Sequence, residues 1–158
     1  MSVPIRVLVA DDNEDHRYLI VRALRDSHGL ALEIDSVRDG EEALDLLYGR
    51  GDFVGRARPQ LVLLDLKMPR IGGLEVLQQV KRDPQLREIP IVVLSSSDRP
   101  EDIQEAYRAG GNSYIAKPST PAGLREDLEE LSHYWTTLVS LPDANLAPET
   151  SDWPGARA

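Results

Sequence analysis

Leu61-Val62-Leu63-Leu64-Asp65-Leu66-Lys67-Met68-Pro69 is the stretch on which the fold turns. Its first four residues are all apolar, with none of the alternation that a strand with one wet face would show. Such continuity marks a strand covered on both faces, the situation of a parallel sheet between two helical layers. The run stops at a carboxylate, and Pro69 with Gly72-Gly73 turns the chain away. Two more runs of this kind are Ile5 to Ala10 and Ile91 to Leu94. Leu32-Glu33-Ile34-Asp35-Ser36-Val37 alternates instead, as an edge strand with one wetter face does. Ser113-Tyr114-Ile115-Ala116 is short and flanked by Gly110-Gly111 and Pro118, so it reads as the opposite edge.

Helical patterns separate these strands. Asn13 caps the first helix, which buries Leu19, Ile20, Ala23 and Leu24; Ala43, Leu44 and Leu47 form the stripe of the second, and Val76, Leu77 and Val80 that of the third. Asp98, Pro100 and Glu101 resemble a capping box opening the fourth, and Thr120 before Pro121 opens the fifth. In the fifth, Leu124, Leu128, Leu131, Trp135 and Leu138 recur at helical spacing and are expected to cover the sheet. The order is βαβαβαβαβα, an α/β fold with five strands and five helices. Residues 48–60 form a long loop whose Arg50, Arg56 and Arg58 outnumber Asp52. The segment after Leu141 carries Pro142, Pro148 and Pro154 with few apolar residues and reads as flexible, with Trp153 a candidate anchor.

The 158 residues suffice for one domain with a real core. Eighteen Lys and Arg against 27 Asp and Glu give a net charge of −9, the wrong sign for gripping phosphate backbones, so nucleic acid is not an expected partner. The chain has no cysteine, which excludes thiolate chemistry and fits a reducing compartment. Its histidines, His16, His28 and His133, lie far apart and read as surface or packing groups. Neither a signal peptide nor a membrane span is present in the pattern, so the expectation is a cytoplasmic domain.

The chemistry sits where strands end. Asp11 and Asp12 follow the first, Asp65 the third, Ser95 the fourth and Lys117 the fifth. In a parallel sheet these positions converge at the carboxyl edge, where such folds place their ligands. Three gathered carboxylates repel one another and call for a cation, and an all-oxygen set suits Mg²⁺. Three negative charges, a divalent metal and the Lys117 ammonium sum to zero before a phosphoryl group arrives. Asp65, ending a central strand, is the natural nucleophile.

Asp11-Asp12, the run from Leu61 to Pro69 with Gly73 beyond it, Ser95, and Tyr114-Ile115-Ala116-Lys117-Pro118 resemble the receiver domain of two-component response regulators over roughly residues 5 to 140. The resemblance implies a flavodoxin-like, doubly wound sheet of order 2-1-3-4-5. It implies that Asp65 accepts a phosphoryl group from a sensor histidine kinase. Asp12, Asp65 and the carbonyl of Lys67 would bind Mg²⁺, with Asp11 acting mainly through a water. Ser95 and Lys117 would hold phosphoryl oxygens, Tyr114 would move inward as Ser95 shifts, and Lys117–Pro118 would be a cis peptide. The long 48–60 loop, Asn112-Ser113-Tyr114 and Tyr134-Trp135-Thr136-Thr137-Leu138-Val139-Ser140-Leu141-Pro142 resemble the single-domain regulators of bacterial and cyanobacterial phytochromes, which implies a light-sensing kinase as donor.

Three positions depart from the common pattern: Lys67 stands where Asn or another small or polar residue is frequent, Gly72 where Asp or Asn is, and Ser95 where Thr is. Residues 1–141 form the expected receiver, and the 17 residues of 142–158 are too few for an output domain, so output passes through the receiver's own surface. Tyr134, Val139 and Leu141 add apolar surface to the last helix, which suggests a homodimer through the fourth and fifth helices. The rival readings are a phosphorylation-independent adaptor and a haloacid dehalogenase-like phosphohydrolase. The latter resemblance fails on order, since its nucleophile follows the first strand with a second Asp two residues later. A flavodoxin-like cofactor binder is weaker, because Asp11-Asp12-Asn13-Glu14 opposes a phosphate.

Overall fold

A computed structural model describes residues 3–26 and 31–143. The strands are β1 (Ile5–Ala10), β2 (Leu32–Val37), β3 (Leu61–Leu64), β4 (Ile91–Ser95) and β5 (Ser113–Ala116). The helices are α1 (Glu14–Asp26), α2 (Gly40–Tyr48), α3 (Gly73–Arg82), α4 (Pro100–Arg108) and α5 (Pro121–His133). All strands are parallel, in the order β2-β1-β3-β4-β5. The alternating Leu32–Val37 and the short Ser113–Ala116 therefore occupy the two edges. Every residue of β3 and β4 is buried, because helices cover both faces.

Side-chain alternation along the strands divides the core in two. Val7 and Val9 of β1 with Leu61 and Leu63 of β3 pack against Ile20 and Leu24 of α1 and Leu124, Leu128 and Leu131 of α5. Leu8, Ala10, Val62 and Leu64 face the other way, onto Ala43 and Leu47 of α2, Val76, Leu77 and Val80 of α3 and Ala106 of α4. Each fully buried Leu or Val contributes about 1.5–3 kcal/mol of transfer free energy.

Several helix ends carry the caps that the sequence marks. Asn13 Oδ1 accepts from the His16 N–H at 3.1 Å, and Thr120 Oγ1 from the Gly123 N–H at 3.1 Å. The fourth helix is different. Arg99 is its N-cap without a side-chain bond, and Asp98 is exposed. Ser97 does the work instead: its Oγ accepts from the Arg99 N–H at 3.3 Å and donates to the Asp102 carboxylate. Gly72, lacking a side chain, likewise leaves α3 without a side-chain cap.

The apolar stripe of the last helix ends earlier than its spacing predicts. Leu124, Leu128 and Leu131 are buried and Trp135 packs on the same cluster, but Leu138 is 66 % exposed. The cause is a π-helical turn at Tyr134–Leu138, closed by a bond from the Val139 N–H to the Tyr134 carbonyl at 2.9 Å. The wider turn shifts the phase, so Thr136 faces inward, with its hydroxyl on the Ser132 carbonyl at 2.5 Å.

The 48–60 loop contains one 3-10 turn, Gly51–Phe53, with Phe53 against the core. Its arginines have partners at the surface: Arg50 pairs with Asp45, Arg56 with Asp35, and Arg58 donates to the Gln85 carbonyl. The proposed flexible tail, with Trp153, lies outside the described residues apart from its first two, as does His28. Among the described residues no helix is long and apolar enough to cross a membrane.

Candidate functional site

The strand register delivers the predicted residues to one edge. Ala10 pairs with Leu64 and Leu64 with Val93, so the residues that follow them emerge side by side at the carboxyl end of the sheet. The Asp65 N–H bonds to the Ala10 carbonyl at 2.9 Å, and the Lys117 N–H to the Ser95 carbonyl at 2.7 Å. Carboxylate oxygens of Asp11, Asp12 and Asp65 lie within 4.8 Å of one another. Asp11 and Asp65 are buried and Asp12 is exposed, so the cluster opens to solvent on the Asp12 side.

Lys117 closes the inner side. Its side chain is only 3 % exposed, with Nζ 2.5 Å from Asp11 Oδ2 and 3.6 Å from Asp65 Oδ2. Burial pushes the Asp65 carboxyl above the ordinary aspartate range; Lys117 opposes this most strongly, Asp11 reinforces the rise, the Lys67 N–H opposes it and Asp12 adds to it. The ammonium is thus the strongest influence in the site favouring the ionised form of Asp65. Asp11 and Asp65 face the Lys117 ammonium, and the three carboxylates form an all-oxygen set that could hold a divalent cation.

Backbone contacts hold this arrangement. Arg17 NH1 donates to the Asp11 carbonyl at 2.7 Å, and Asp11 Oδ1 accepts from the Asn13 N–H at 2.9 Å. The Lys67 N–H reaches Asp65 Oδ1 at 3.3 Å, while the Lys67 side chain points into solvent. Gly73 lies where a Cβ would come within 1.9 Å of the Asp65 carbonyl oxygen, so α3 approaches Asp65 closely only because this residue has no side chain. Its N–H bonds to the Leu66 carbonyl at 2.9 Å.

Ser95 is fully buried at the end of β4, its Oγ accepting from the Ser97 N–H at 3.3 Å. Tyr114 lies partly within the core and donates its hydroxyl to the Ser97 carbonyl at 2.7 Å. The loop after β4 is therefore tied to β5 two residues from Ser95.

Two expectations need correction. The Lys117–Pro118 peptide is trans, since no cis bond occurs among the described residues; the trans form is favoured by about 0.5–1 kcal/mol before Pro, and the Lys117 N–H meets Ser95 in that form. His16 is not a mere surface or packing group, because its Nδ1 lies 3.0 Å from Lys117 Nζ. His133 is exposed, as expected. The spacing signal for His16 was available: it is four residues after Asp12, so α1 starts at the site and its first turns face it. Arg17, Ser97 and the close approach at Gly73 carry no such signal.

A parallel sheet with a carboxylate cluster, a buried ammonium and a serine hydroxyl at its carboxyl edge defines a phosphoryl-accepting signalling domain. The chain belongs to the response regulator receiver domain family, which it matches over residues 7–129. Members of this family are signalling proteins and generally not turnover enzymes.

Among curated relatives, the "Probable methanogenesis regulatory protein FilR2" of Methanothrix harundinacea is 42 % identical over 132 residues, 84 % of each chain. Response regulator Rcp1 of Synechocystis sp. is 32 % identical over 141 residues, 89 % of this chain and 95 % of Rcp1. Its Mn²⁺-bound crystal structure superposes with a TM-score of 0.86 at 31 % identity, covering 89 % of this chain and 100 % of that one. The phosphorylated cyanobacterial phytochrome response regulator RcpA superposes equally well, at 0.86 with 35 % identity and the same coverage. The likeness to phytochrome regulators thus holds in sequence and in structure.

Proposed function

We propose that residues 1–141 act as a stand-alone receiver whose Asp65 takes a phosphoryl group from a phosphohistidine on a sensor histidine kinase of phytochrome type. The supporting observation is the Lys117 ammonium, buried against Asp11 and Asp65 on the inner side of a three-carboxylate cluster. One Asp65 oxygen attacks phosphorus, the P–N bond to the donor imidazole breaks, and the imidazole leaves with the electron pair and takes up a proton. Lys117 has two tasks: it keeps Asp65 ionised for attack and then faces a new phosphoryl oxygen. The Ser95 hydroxyl, at the end of the neighbouring strand, donates to another.

Asp11, Asp12, Asp65 and the Lys67 carbonyl would hold Mg²⁺, with Asp11 acting mainly through a water. When bound, the metal neutralises charge on the transferring group. That Rcp1 has a Mn²⁺-bound form supports the reading that this chain takes a divalent ion. Movement of Ser95 toward the phosphoryl group would pull on the Ser97 carbonyl and so reposition Tyr114, changing the surface formed by α4, β5 and α5. Exposed Tyr107, Tyr134 and Leu138 make that surface the proposed homodimer contact. A cytoplasmic location follows from a kinase as donor. The phytochrome-type donor rests on the likeness to RcpA and Rcp1.

Incubation with Mg²⁺ and acetyl phosphate tests the central claim. The expected product is a base-labile, acid-stable adduct that Asp65→Asn abolishes. An adduct surviving that substitution would refute the acceptor. No adduct from any donor would favour the adaptor, and continuous turnover of a phosphate ester would favour the phosphohydrolase.

A further inference from the structure

The Lys117 ammonium has three protons and, in this site, three acceptors: Asp11 Oδ2 at 2.5 Å, His16 Nδ1 at 3.0 Å and Asp65 Oδ2 at 3.6 Å. An ammonium can only donate, so His16 Nδ1 must accept. The ring is then neutral, with its proton on Nε2. Of the three contacts, the one to Asp65 is beyond hydrogen-bond length. Two N–H bonds are thus engaged by Asp11 and His16, and the third is used by neither, with Asp65 Oδ2 3.6 Å from the nitrogen. That gap is on the side where an oxygen joined to Asp65 would appear.

With Asp11 as its only close partner, a flexible four-carbon stem could turn the ammonium away from the acceptor. A carboxylate in place of the ring would add a fourth negative charge to the cluster, and a cation would repel Lys117. A neutral acceptor fixes direction without changing the charge tally. We propose that His16 is a positioning residue for phosphoryl transfer, its Nδ1 orienting the Lys117 ammonium toward the phosphoryl oxygen on Asp65. This rests on the reading of Asp65 as the acceptor.

Asparagine supplies the test, because its Oδ1 stands at the branch position that Nδ1 occupies in histidine. Helix propensity runs the other way: Ala is the best helix former, while His and Asn are similar. A merely structural role in α1 therefore ranks His16→Ala at or above His16→Asn. Positioning ranks them in reverse.

The experiment measures the initial rate of Asp65 phosphorylation by acetyl phosphate in Mg²⁺, together with Mn²⁺ affinity and the urea midpoint of each variant. His16→Asn should keep most of the wild-type rate. His16→Ala should fall about tenfold, the loss of a hydrogen bond to a charged group, with metal affinity unchanged. His16→Lys should fall at least as far. An alanine variant at the wild-type rate, or Asn and Ala equally slow while both remain folded, would overturn the proposal while leaving the acceptor intact. A wild-type protein that takes no phosphoryl group on Asp65 would overturn both.

Discussion

Lys117→Met removes the buried positive charge that faces Asp11 and Asp65 while keeping most of the side-chain volume. The wild-type ammonium is 3 % exposed and faces side chains of Asp11 and Asp65 that are 2 % and 8 % exposed, so solvent does little to screen the pair. Breaking a buried pair by deleting one partner costs about 3–5 kcal/mol, because the remaining charge is left uncompensated. Here two carboxylates are left.

The fold can escape by protonating Asp65, whose carboxyl is already raised by burial and by Asp11 and Asp12, and whose largest opposing influence is Lys117. The variant's Asp65 should therefore titrate higher still. A carboxyl that titrates higher folded than unfolded binds extra protons in the native state, so stability is greatest below the unfolded value and is lost as pH rises through the folded one. Each unit by which the variant exceeds wild type returns about 1.4 kcal/mol on going from above both values to below both.

Urea unfolding at several pH values between 5 and 8 reads this directly. The expected result is a deficit of about 3–5 kcal/mol at pH 8 that narrows toward pH 5. Millimolar divalent metal, binding the native state, should also narrow it at pH 8. A deficit below about 1 kcal/mol, or one that does not change with pH, would refute the view that Lys117 keeps Asp65 ionised.

Three other perturbations address separate parts of the molecule. Gly73→Ala would place a Cβ 1.9 Å from the Asp65 carbonyl oxygen, so a stability loss of at least about 1–3 kcal/mol and weaker Mn²⁺ binding are expected by denaturation and metal titration. Asp12→Asn removes an exposed carboxylate, and calorimetry should show divalent affinity down at least tenfold with the unfolding midpoint nearly unchanged. Tyr114→Phe deletes the hydrogen bond to the Ser97 carbonyl, with an expected loss of about 1 kcal/mol and faster amide exchange in residues 97–99.

The strands were legible because burial leaves a direct mark on sequence: Leu61–Leu64 and Ile91–Leu94 are continuous since both faces are covered, and Leu32–Val37 alternates since it lies at an edge. The carboxylate cluster was legible for a related reason. In a parallel sheet, strand-end residues share one edge whatever their separation in the chain, so Asp11, Asp65, Ser95 and Lys117 could be gathered before any contact was known. The order of the strands needed the family resemblance.

What stayed hidden depends on contacts through space. Gly73 matters because of the Asp65 carbonyl behind it, and Gly40 because the Ile71 carbonyl oxygen would lie 2.0 Å from its Cβ. Asp39, buried and capping α2 through the Glu42 N–H at 2.8 Å, looked like any polar loop residue. For α4, Asp98 matched the capping pattern, yet Ser97 had the better reach to both Arg99 and Asp102.

The π-helical turn at Tyr134–Leu138 is equivalent to one residue inserted into an otherwise regular helix end. Helices tolerate such an insertion because the flanking bonds close around it, and they can lose it again by a single deletion. Wound as a regular α-helix without loss of a residue, the same segment would bring Leu138, at i+7 from Leu131, back to the buried stripe and turn Thr136 outward. The winding of one turn, with no change in sequence, thus decides whether this end of the molecule offers Leu138 to another protein or keeps it for its own core.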